Sequence, residues 1–244
     1  MISYLNVNNR GIAYHQTEGD GPGVVFLGGF KSDMEGTKAL FLEDWAKANG
    51  RAFLRFDYSG HGSSSEAFTD GCIGDWAADA MAAIEALTDG PQVLVGSSMG
   101  GWISLLVSRA MQSRVKGLVG IATAPDFTEA MWSGFSDGER AEIMNRGQVD
   151  LPSEYSDEPY IITKRLIEDG RNQLVLYNPL PLPFPVRFLQ GTADTSVNHD
   201  VALRLLDHVD CEDVRLTLVK GANHSFSSPE CLMAITDAIG QVSG

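Results

Sequence analysis

Long apolar segments and an excess of positive charge are both missing from this sequence of 244 residues. No stretch approaches the ~20 consecutive apolar residues that a membrane helix needs, so we expect no stable membrane insertion. The formal net charge is −14, and a surface of that sign repels the phosphates of nucleic acids and of anionic lipids. Nucleic-acid binding is therefore excluded from the expected functions, and solubility accounts for the charge.

Cysteine is also scarce in this chain. The three thiols, Cys72, Cys211 and Cys231, are odd in number and widely spaced, which matches neither a disulfide framework nor a zinc site. Residues 1–16 are polar and alternating, without the basic start and apolar core of a signal peptide. We therefore expect a soluble, cytoplasmic protein that carries no metal.

The composition is that of a globular protein, with 43% hydrophobic and 20% charged residues. Eight strand-like segments are present, at 4–7, 11–16, 23–29, 51–58, 92–97, 115–124, 186–191 and 214–222. Helical patterns lie between or after them, at 37–50, 73–90, 100–112, 201–209 and 231–240. Strands that alternate with helices of this length indicate a mainly parallel sheet. We predict an α/β fold in which one domain, residues 1–244, contains an eight-stranded sheet flanked by helices.

The alternation of strands and helices stops after the sixth predicted strand. No strand is evident between Pro125 and Pro185, where helix-like stretches cover 128–147 and 158–173 and a proline-rich segment follows. Roughly 60 residues are too few to form an independent domain with its own core. We therefore predict a small helical cap, residues 126–184, inserted after strand 6 of the same domain.

The segment GSSMG at 96–100 joins a predicted strand directly to a predicted helix. A G-x-S-x-G pattern in that context is typical of a nucleophilic serine, which a sharp and strained turn holds above the sheet. The pattern selects Ser98, because Gly96 and Gly100 flank it at the required spacing, whereas Ser97 is flanked by Val95 and Met99.

A serine nucleophile needs a base and an acid, which follow it in the chain order Ser, Asp or Glu, His. Asp194 comes directly after the strand at 186–191, and His224 follows the strand at 214–222. The carboxyl ends of parallel strands share one edge of a sheet, so these side chains can converge on Ser98. Asp126, which also follows a strand, is the alternative acid, and His61 is an alternative pocket residue.

Acyl transfer also requires backbone amides that bind the developing oxyanion. One donor is expected from Met99, the residue after the nucleophile, and the second from the loop after the third strand. That loop reads LGGF, and its glycines Gly28 and Gly29 allow close approach of the backbone. The expected second donor is therefore the N–H group of Phe30.

Several longer motifs resemble one subgroup of the alpha/beta-hydrolases, namely GTKAL at 36–40, RFDYSGHGSS at 55–64, DGPQVLVGSSMGGW at 89–102, VGIATAPDF at 119–127 and LPSEYSDEPYIITKRLIEDGRN at 151–172. The subgroup comprises mitochondrial acyl-glucuronide esterases that also act as palmitoyl-protein thioesterases, together with bacterial relatives. The resemblance implies the same nucleophile, acid and base, at Ser98, Asp194 and His224. Two departures are the missing organelle leader, which favours a bacterial cytoplasmic member, and LGGF at 27–30, where many relatives have histidine or proline before the glycine.

The cap sequence indicates the kind of substrate. Five aromatic or soft apolar residues are expected to line a pocket over Ser98, namely Met131, Trp132, Phe135, Tyr155 and Tyr160. The predicted function is a serine hydrolase that cleaves esters or thioesters of small apolar acyl or aryl substrates through an acyl-enzyme, without a cofactor. A serine peptidase and a slow-turnover ligand receptor remain as alternatives, and no expectation for the oligomeric state follows.

Overall fold

The computed structural model of the protein describes residues 2–151 and 159–244. Its strands, in chain order, are β1 (Ser3–Val7), β2 (Arg10–Thr17), β3 (Asp20–Leu27), β4 (Arg51–Phe56), β5 (Gln92–Ser97), β6 (Val115–Ile121), β7 (Gln148–Leu151), β8 (Tyr160–Thr163), β9 (Leu180–Pro181), β10 (Val186–Gly191), β11 (Val209–Asp210) and β12 (Val214–Val219). The helices are α1 (Thr37–Ala48), α2 (Ile73–Leu87), α3 (Met99–Ala110), α4 (Phe127–Gly134), α5 (Asp137–Arg146), α6 (Lys164–Asn172), α7 (His199–His208) and α8 (Pro229–Val242). Two short 3-10 helices cover Phe68–Asp70 and Gln112–Arg114.

Eight of the strands form one sheet in the order β1-β2-β4-β3-β5-β6-β10-β12. β2 pairs antiparallel with β1 and with β4, and every pairing from β4 to β12 is parallel. All six residues of β5 are buried, as expected for a central strand covered on both faces. The predicted α/β fold with a mainly parallel eight-stranded sheet is confirmed.

Helices cover both faces of the sheet because side chains alternate along each strand. In β3, Val25 and Leu27 pack with Trp76 of α2 and Trp102 of α3 on one face. Val24 and Phe26 pack on the other face with residues of α1 and α8, such as Leu42 and Ile235. The parallel pairing places the carboxyl ends of β3, β5, β6, β10 and β12 along one edge of the sheet, where the candidate site lies.

The elements from α4 to β9 lie between β6 and β10 and pack on the face that α2 and α3 cover. The expectation that this segment has no strand was wrong, because β7 and β8 form an antiparallel pair. The predicted helix over 158–173 begins only at Lys164, since Tyr160–Thr163 is extended and paired to Gln148–Leu151. Its β-branched residues suit that pairing. Within the described residues, no helix combines the length and the apolar content needed to cross a membrane.

Candidate active site

Ser98 occupies a sharp turn between β5 and α3. Its backbone has φ 55° and ψ −117°, a conformation that costs a residue with a side chain about 1–3 kcal/mol. Its amide donates to the Ile121 carbonyl at 2.9 Å, which ties the turn to the end of β6. A Cβ atom on Gly96 would lie 2.4 Å from the Gly100 carbonyl oxygen, so only glycine at position 96 permits the helix to start this close to the strand.

Asp194 lies in the loop after β10, and its carboxylate is fully buried. Its Oδ1 accepts the backbone N–H groups of Ser196 and Val197, each at 2.9 Å, and Oδ2 accepts the Gln190 side-chain amide at 2.9 Å. Burial by itself raises the pKa of Asp194, but hydrogen bonds from His224 and from these amides outweigh it. The pKa is therefore held below its ordinary value, and the carboxylate remains ionised at neutral pH.

His224 lies in the loop after β12 and contacts both other residues. Its Nδ1 is 2.9 Å from Asp194 Oδ2, and its Nε2 is 3.1 Å from Ser98 Oγ. A carboxylate without a proton can only accept, so Nδ1 carries the hydrogen and Nε2 is free to accept the Ser98 hydroxyl proton. Three strand ends thus bring together a hydroxyl, a base and an anion, an arrangement that can activate the hydroxyl as a nucleophile.

The loop after β3 lies beside Ser98. A Cβ atom on Gly29 would be 3.5 Å from the Cβ atom of Ser98, so the residue before Phe30 lies against the nucleophile turn. No acceptor within the described part of the chain binds the Phe30 N–H group. Met99 is the first residue of α3, and the first amides of a helix have no acceptor within it. Both amides suggested by the sequence are therefore available to a ligand oxygen.

A cavity of about 590 Å³ opens at Ser98 and His224. Its apolar wall includes residues of the loop after β3 and of the inserted segment, namely Phe30, Met131, Leu151, Tyr160 and Ile162. Its polar wall comes from loop residues and the first turn of α1, namely Ser32, Asp33, Lys38, Ser196, Ser225 and Ser227. The cavity therefore offers an apolar surface on the side of the insertion and hydrogen-bonding groups on the side of His224.

The structure places only some of the predicted pocket residues of the cap at the cavity. Met131 and Tyr160 lie on the cavity wall, whereas Trp132 and Phe135 do not. The ring of Trp132 packs under the guanidinium groups of Arg140 and Arg171, and Phe135 is buried in the hydrophobic core. Their positions on and after α4 turn them away from Ser98, which corrects the prediction for these two. Tyr155 lies outside the described residues.

Sequence reasoning missed Lys38, Leu151 and Ile162 as cavity residues. Lys38 donates through Nζ to the carbonyl of Ser225, next to His224, and burial lowers the pKa of its ammonium group. No local signal marks it, because only the tertiary packing of α1 brings its first turn to this edge. The strand alternation of β8 could have indicated Ile162, had the strand been recognised.

The alternative residues take structural positions. The Asp126 carboxylate accepts the backbone amides of Val175 at 2.9 Å and of Leu176 at 3.0 Å, and burial raises its pKa. His61 is 3% exposed, lies among aromatic rings and does not line the cavity. Neither residue reaches Ser98, so the geometry favours Asp194 as the acid.

The fold and the hydrogen-bonded Ser–His–Asp series define the class, and this chain belongs to the alpha/beta hydrolase family, whose model matches residues 24–230. The family assignment confirms the predicted hydrolase class. The chain is 36% identical over 225 residues to human mitochondrial palmitoyl-protein thioesterase ABHD10. The aligned region covers 91% of this chain and 74% of that protein. The bovine protein of the same name is 37% identical over 214 residues, 87% of this chain and 70% of its own.

Two solved structures are also similar to this chain. A protein from Agrobacterium vitis S4 superposes with a TM-score of 0.93 at 39% identity, covering 100% of this chain and 97% of its own. Mouse ABHD10 superposes with a TM-score of 0.91 at 34% identity, with both chains covered completely. The predicted resemblance to palmitoyl-protein thioesterases and to bacterial proteins of the family is confirmed.

Proposed function

We propose that this protein is a serine hydrolase that cleaves ester or thioester bonds of apolar acyl substrates through an acyl-enzyme on Ser98. The observation that carries the proposal is the hydrogen-bonded series from Ser98 Oγ through His224 to Asp194 at the wall of the cavity. The Asp194 carboxylate orients the imidazole and stabilises its cation when the proton arrives.

In the first step His224 Nε2 takes the proton of the Ser98 hydroxyl while Oγ forms a bond to the substrate carbonyl carbon. The π electrons of the carbonyl move to its oxygen, and the resulting oxyanion accepts hydrogen bonds from the Met99 and Phe30 amides. The tetrahedral intermediate then collapses. Its carbon–oxygen or carbon–sulfur bond breaks, and the leaving alcohol or thiol receives the proton from His224.

In the second step water replaces the leaving group. His224 Nε2 accepts a proton from water as the water oxygen bonds to the acyl carbon of the Ser98 ester. Collapse of the second tetrahedral intermediate breaks the bond to Oγ, which recovers its proton from His224, and the carboxylic acid leaves. The two steps use only the residues named and one water molecule.

The apolar wall of the cavity supports the substrate class that we propose. Met131, Leu151, Tyr160 and Ile162 form the apolar wall, which suits an acyl or aryl group. The relatives named palmitoyl-protein thioesterases support a fatty acyl thioester within this class. We propose small esters and acyl thioesters as substrates.

Hydrolysis of p-nitrophenyl esters from acetate to palmitate, and of a palmitoyl thioester, tests the proposal. Ser98→Ala is expected to lower kcat by about 10⁴-fold or more. Ser97→Ala is the matched control, because Ser97 also lines the cavity, whereas the described hydrogen bond to His224 Nε2 comes from Ser98. It should keep kcat within about threefold of wild type, since it removes a hydroxyl that takes no part in the chemistry.

Equal turnover by wild type and Ser98→Ala would contradict the proposal. Failure of both proteins to turn over any of these substrates, with both folded, would instead favour the slow-turnover receptor. In that case ligands of the cavity would raise the unfolding temperature without being consumed.

We also propose a reducing location for the protein, the cytoplasm. Cys72, Cys211 and Cys231 are all free thiols, and burial raises the pKa of Cys72 to about 12, so its reactive thiolate is suppressed. Fractionation of native cells tests this location, and recovery of the protein in a periplasmic or organellar fraction would contradict it.

A further inference from the structure

The loop over residues 28–36 carries the second expected oxyanion donor and forms part of the cavity wall. Most of its side chains beyond Phe30 are exposed, and Met34, which is 2% exposed, is its one buried side chain. Exposed loops are generally mobile unless buried contacts hold them. Oxyanion stabilisation requires donors that are already in place, so something must fix this loop.

Met34 is held by both of its backbone polar groups. Its N–H group donates to Asp57 Oδ1 at 2.6 Å, and its carbonyl accepts from Arg55 Nη1 at 3.0 Å. Arg55 and Asp57 are 5% and 3% exposed, respectively. The guanidinium is itself anchored, since Arg55 Nε donates to Glu43 Oε2 at 2.8 Å. Two buried side chains from the end of β4 thus hold the loop four residues beyond Phe30.

A third side chain holds the other end of the loop. Tyr58, which is 2% exposed, donates its hydroxyl hydrogen to the Gly28 carbonyl at 3.3 Å. The Gly28 carbonyl belongs to the planar peptide that joins Gly28 to Gly29, so the bond restrains that unit. The Phe30 amide belongs to the next peptide along, so its direction depends on the same anchor.

We propose that Arg55, Asp57 and Tyr58 are positioning residues that hold the loop 28–36 so that the Phe30 amide points at the oxyanion formed beside Ser98. None of the three lines the cavity, so they act through the loop and not on the substrate. The inference rests on the proposed function, because it assigns the Phe30 amide a part in that chemistry.

Tyr58→Phe is the sharpest test, because it removes one hydroxyl and keeps the buried ring. A misplacement of about 1 Å at a reacting group can cost up to about 100-fold in rate, so we expect kcat to fall by about tenfold for loss of one of three anchors. KM should change by less than about twofold, since the acyl wall is untouched. Tyr14→Phe is the matched control: Tyr14 packs on the same core, and within the described residues its hydroxyl makes no hydrogen bond to the loop.

An alkyl boronic acid supplies a second readout. It forms a tetrahedral adduct with a serine hydroxyl and places an oxygen where the oxyanion would lie, so its affinity reports the donors directly. We expect Tyr58→Phe to weaken boronate binding by about tenfold, as it lowers kcat, while the unfolding temperature stays near that of Tyr14→Phe. Asp57→Asn replaces one of two accepting oxygens with an amide donor. It should reduce kcat and the affinity for the boronate further than Tyr58→Phe does.

Two results would overturn the proposal. One is a Tyr58→Phe protein whose kcat and boronate affinity both match those of Tyr14→Phe. The other is a lower kcat with unchanged boronate affinity, since the loss would then arise away from the oxyanion. Ser98→Ala, assayed alongside, separates the two proposals: if it retains turnover, the proposed function fails as well, whereas if it is inactive, a negative Tyr58→Phe result concerns the positioning residues alone.

Discussion

A Cβ atom on Gly100 would lie 2.1 Å from the carbonyl oxygen of Leu27, the last residue of β3. The first turn of α3 therefore rests directly on the backbone of the strand that leads into the loop that carries Phe30. This contact sets the distance between the Ser98 turn and the loop that faces it. Position 100 requires glycine because there is no room for a Cβ atom, and not because of its backbone conformation.

Gly100→Ala should consequently destabilise the protein. Backbone atoms cannot move aside as a flexible side chain can, so we expect a loss of about 3 kcal/mol or more in the free energy of unfolding. For a chain of this size that corresponds to a fall of about 10 °C in the unfolding temperature. Gly240→Ala is the control, because nothing lies within 4 Å of a Cβ there; this change in α8 should raise stability by up to about 1 kcal/mol.

The strained backbone of Ser98 predicts an unusual pair of variants. Ser98→Gly and Ser98→Ala both lack the nucleophile, but only glycine adopts a φ of 55° without strain. We expect Ser98→Gly to be more stable than Ser98→Ala by about 1 kcal/mol, the relief of strain less the entropy cost of glycine. Urea unfolding of the two proteins measures the difference, and equal midpoints would show that the turn stores no strain.

Substitution by asparagine distinguishes the two candidate acids, Asp194 and Asp126. Asp194→Asn keeps the shape but loses the charge that holds Nδ1 of His224 protonated, so kcat should fall by about 10³–10⁴-fold. Asp126→Asn should leave kcat within about tenfold of wild type and instead lower the unfolding temperature, because the Asp126 carboxylate accepts the amides of Val175 and Leu176. Ester hydrolysis and thermal unfolding of both variants check the assignment, and the reverse pattern would make Asp126 the acid.

His61 predicts a dependence of stability on pH. Burial lowers its pKa from 6.5 to about 4, so the unfolded chain binds this proton more readily than the folded chain. The stability that the neutral ring contributes is present above pH ~6.5 and is lost as the pH falls towards 4, by up to about 3 kcal/mol. His61→Phe should therefore show a shallower loss of unfolding free energy between pH 6.5 and 4.5.

The same substitution at an exposed histidine supplies the control for that measurement. His199 is half-exposed at the start of α7, so His199→Phe should keep the slope of the wild-type protein. A His61→Phe protein with the wild-type slope would mean that other groups govern the acid sensitivity.

The sequence was sufficient to bring Ser98, Asp194 and His224 to one edge because each follows a predicted strand of the parallel part of the sheet, and parallel strands end at one edge. Their convergence depends only on strand order, which the alternation of strands and helices makes predictable. The Phe30 loop was found by the same rule. The eight strands of the sheet were found because apolar runs such as β5 and apolar–polar alternation such as that of β12 both indicate strands.

The inserted segment was harder to predict, for physical reasons. β7 and β8 have four residues each, too short for a periodicity to emerge, and the pattern of α6 continues the apparent helix back through Tyr160. Trp132 and Met131 are neighbours on α4 and so point in different directions; composition alone could not tell which faces the cavity. Lys38 was missed because the packing of α1 against the His224 loop is entirely tertiary.

The bonds from Asp126 to Val175 and Leu176 have an evolutionary consequence. They hold the two ends of the intervening chain, residues 127–174, next to each other beside β6. Changes in the length of the intervening chain can then be accommodated while its two ends stay in place beside β6. A lineage could therefore exchange the contents of this segment, and with it the molecules admitted to the cavity, while inheriting the same chemistry unchanged.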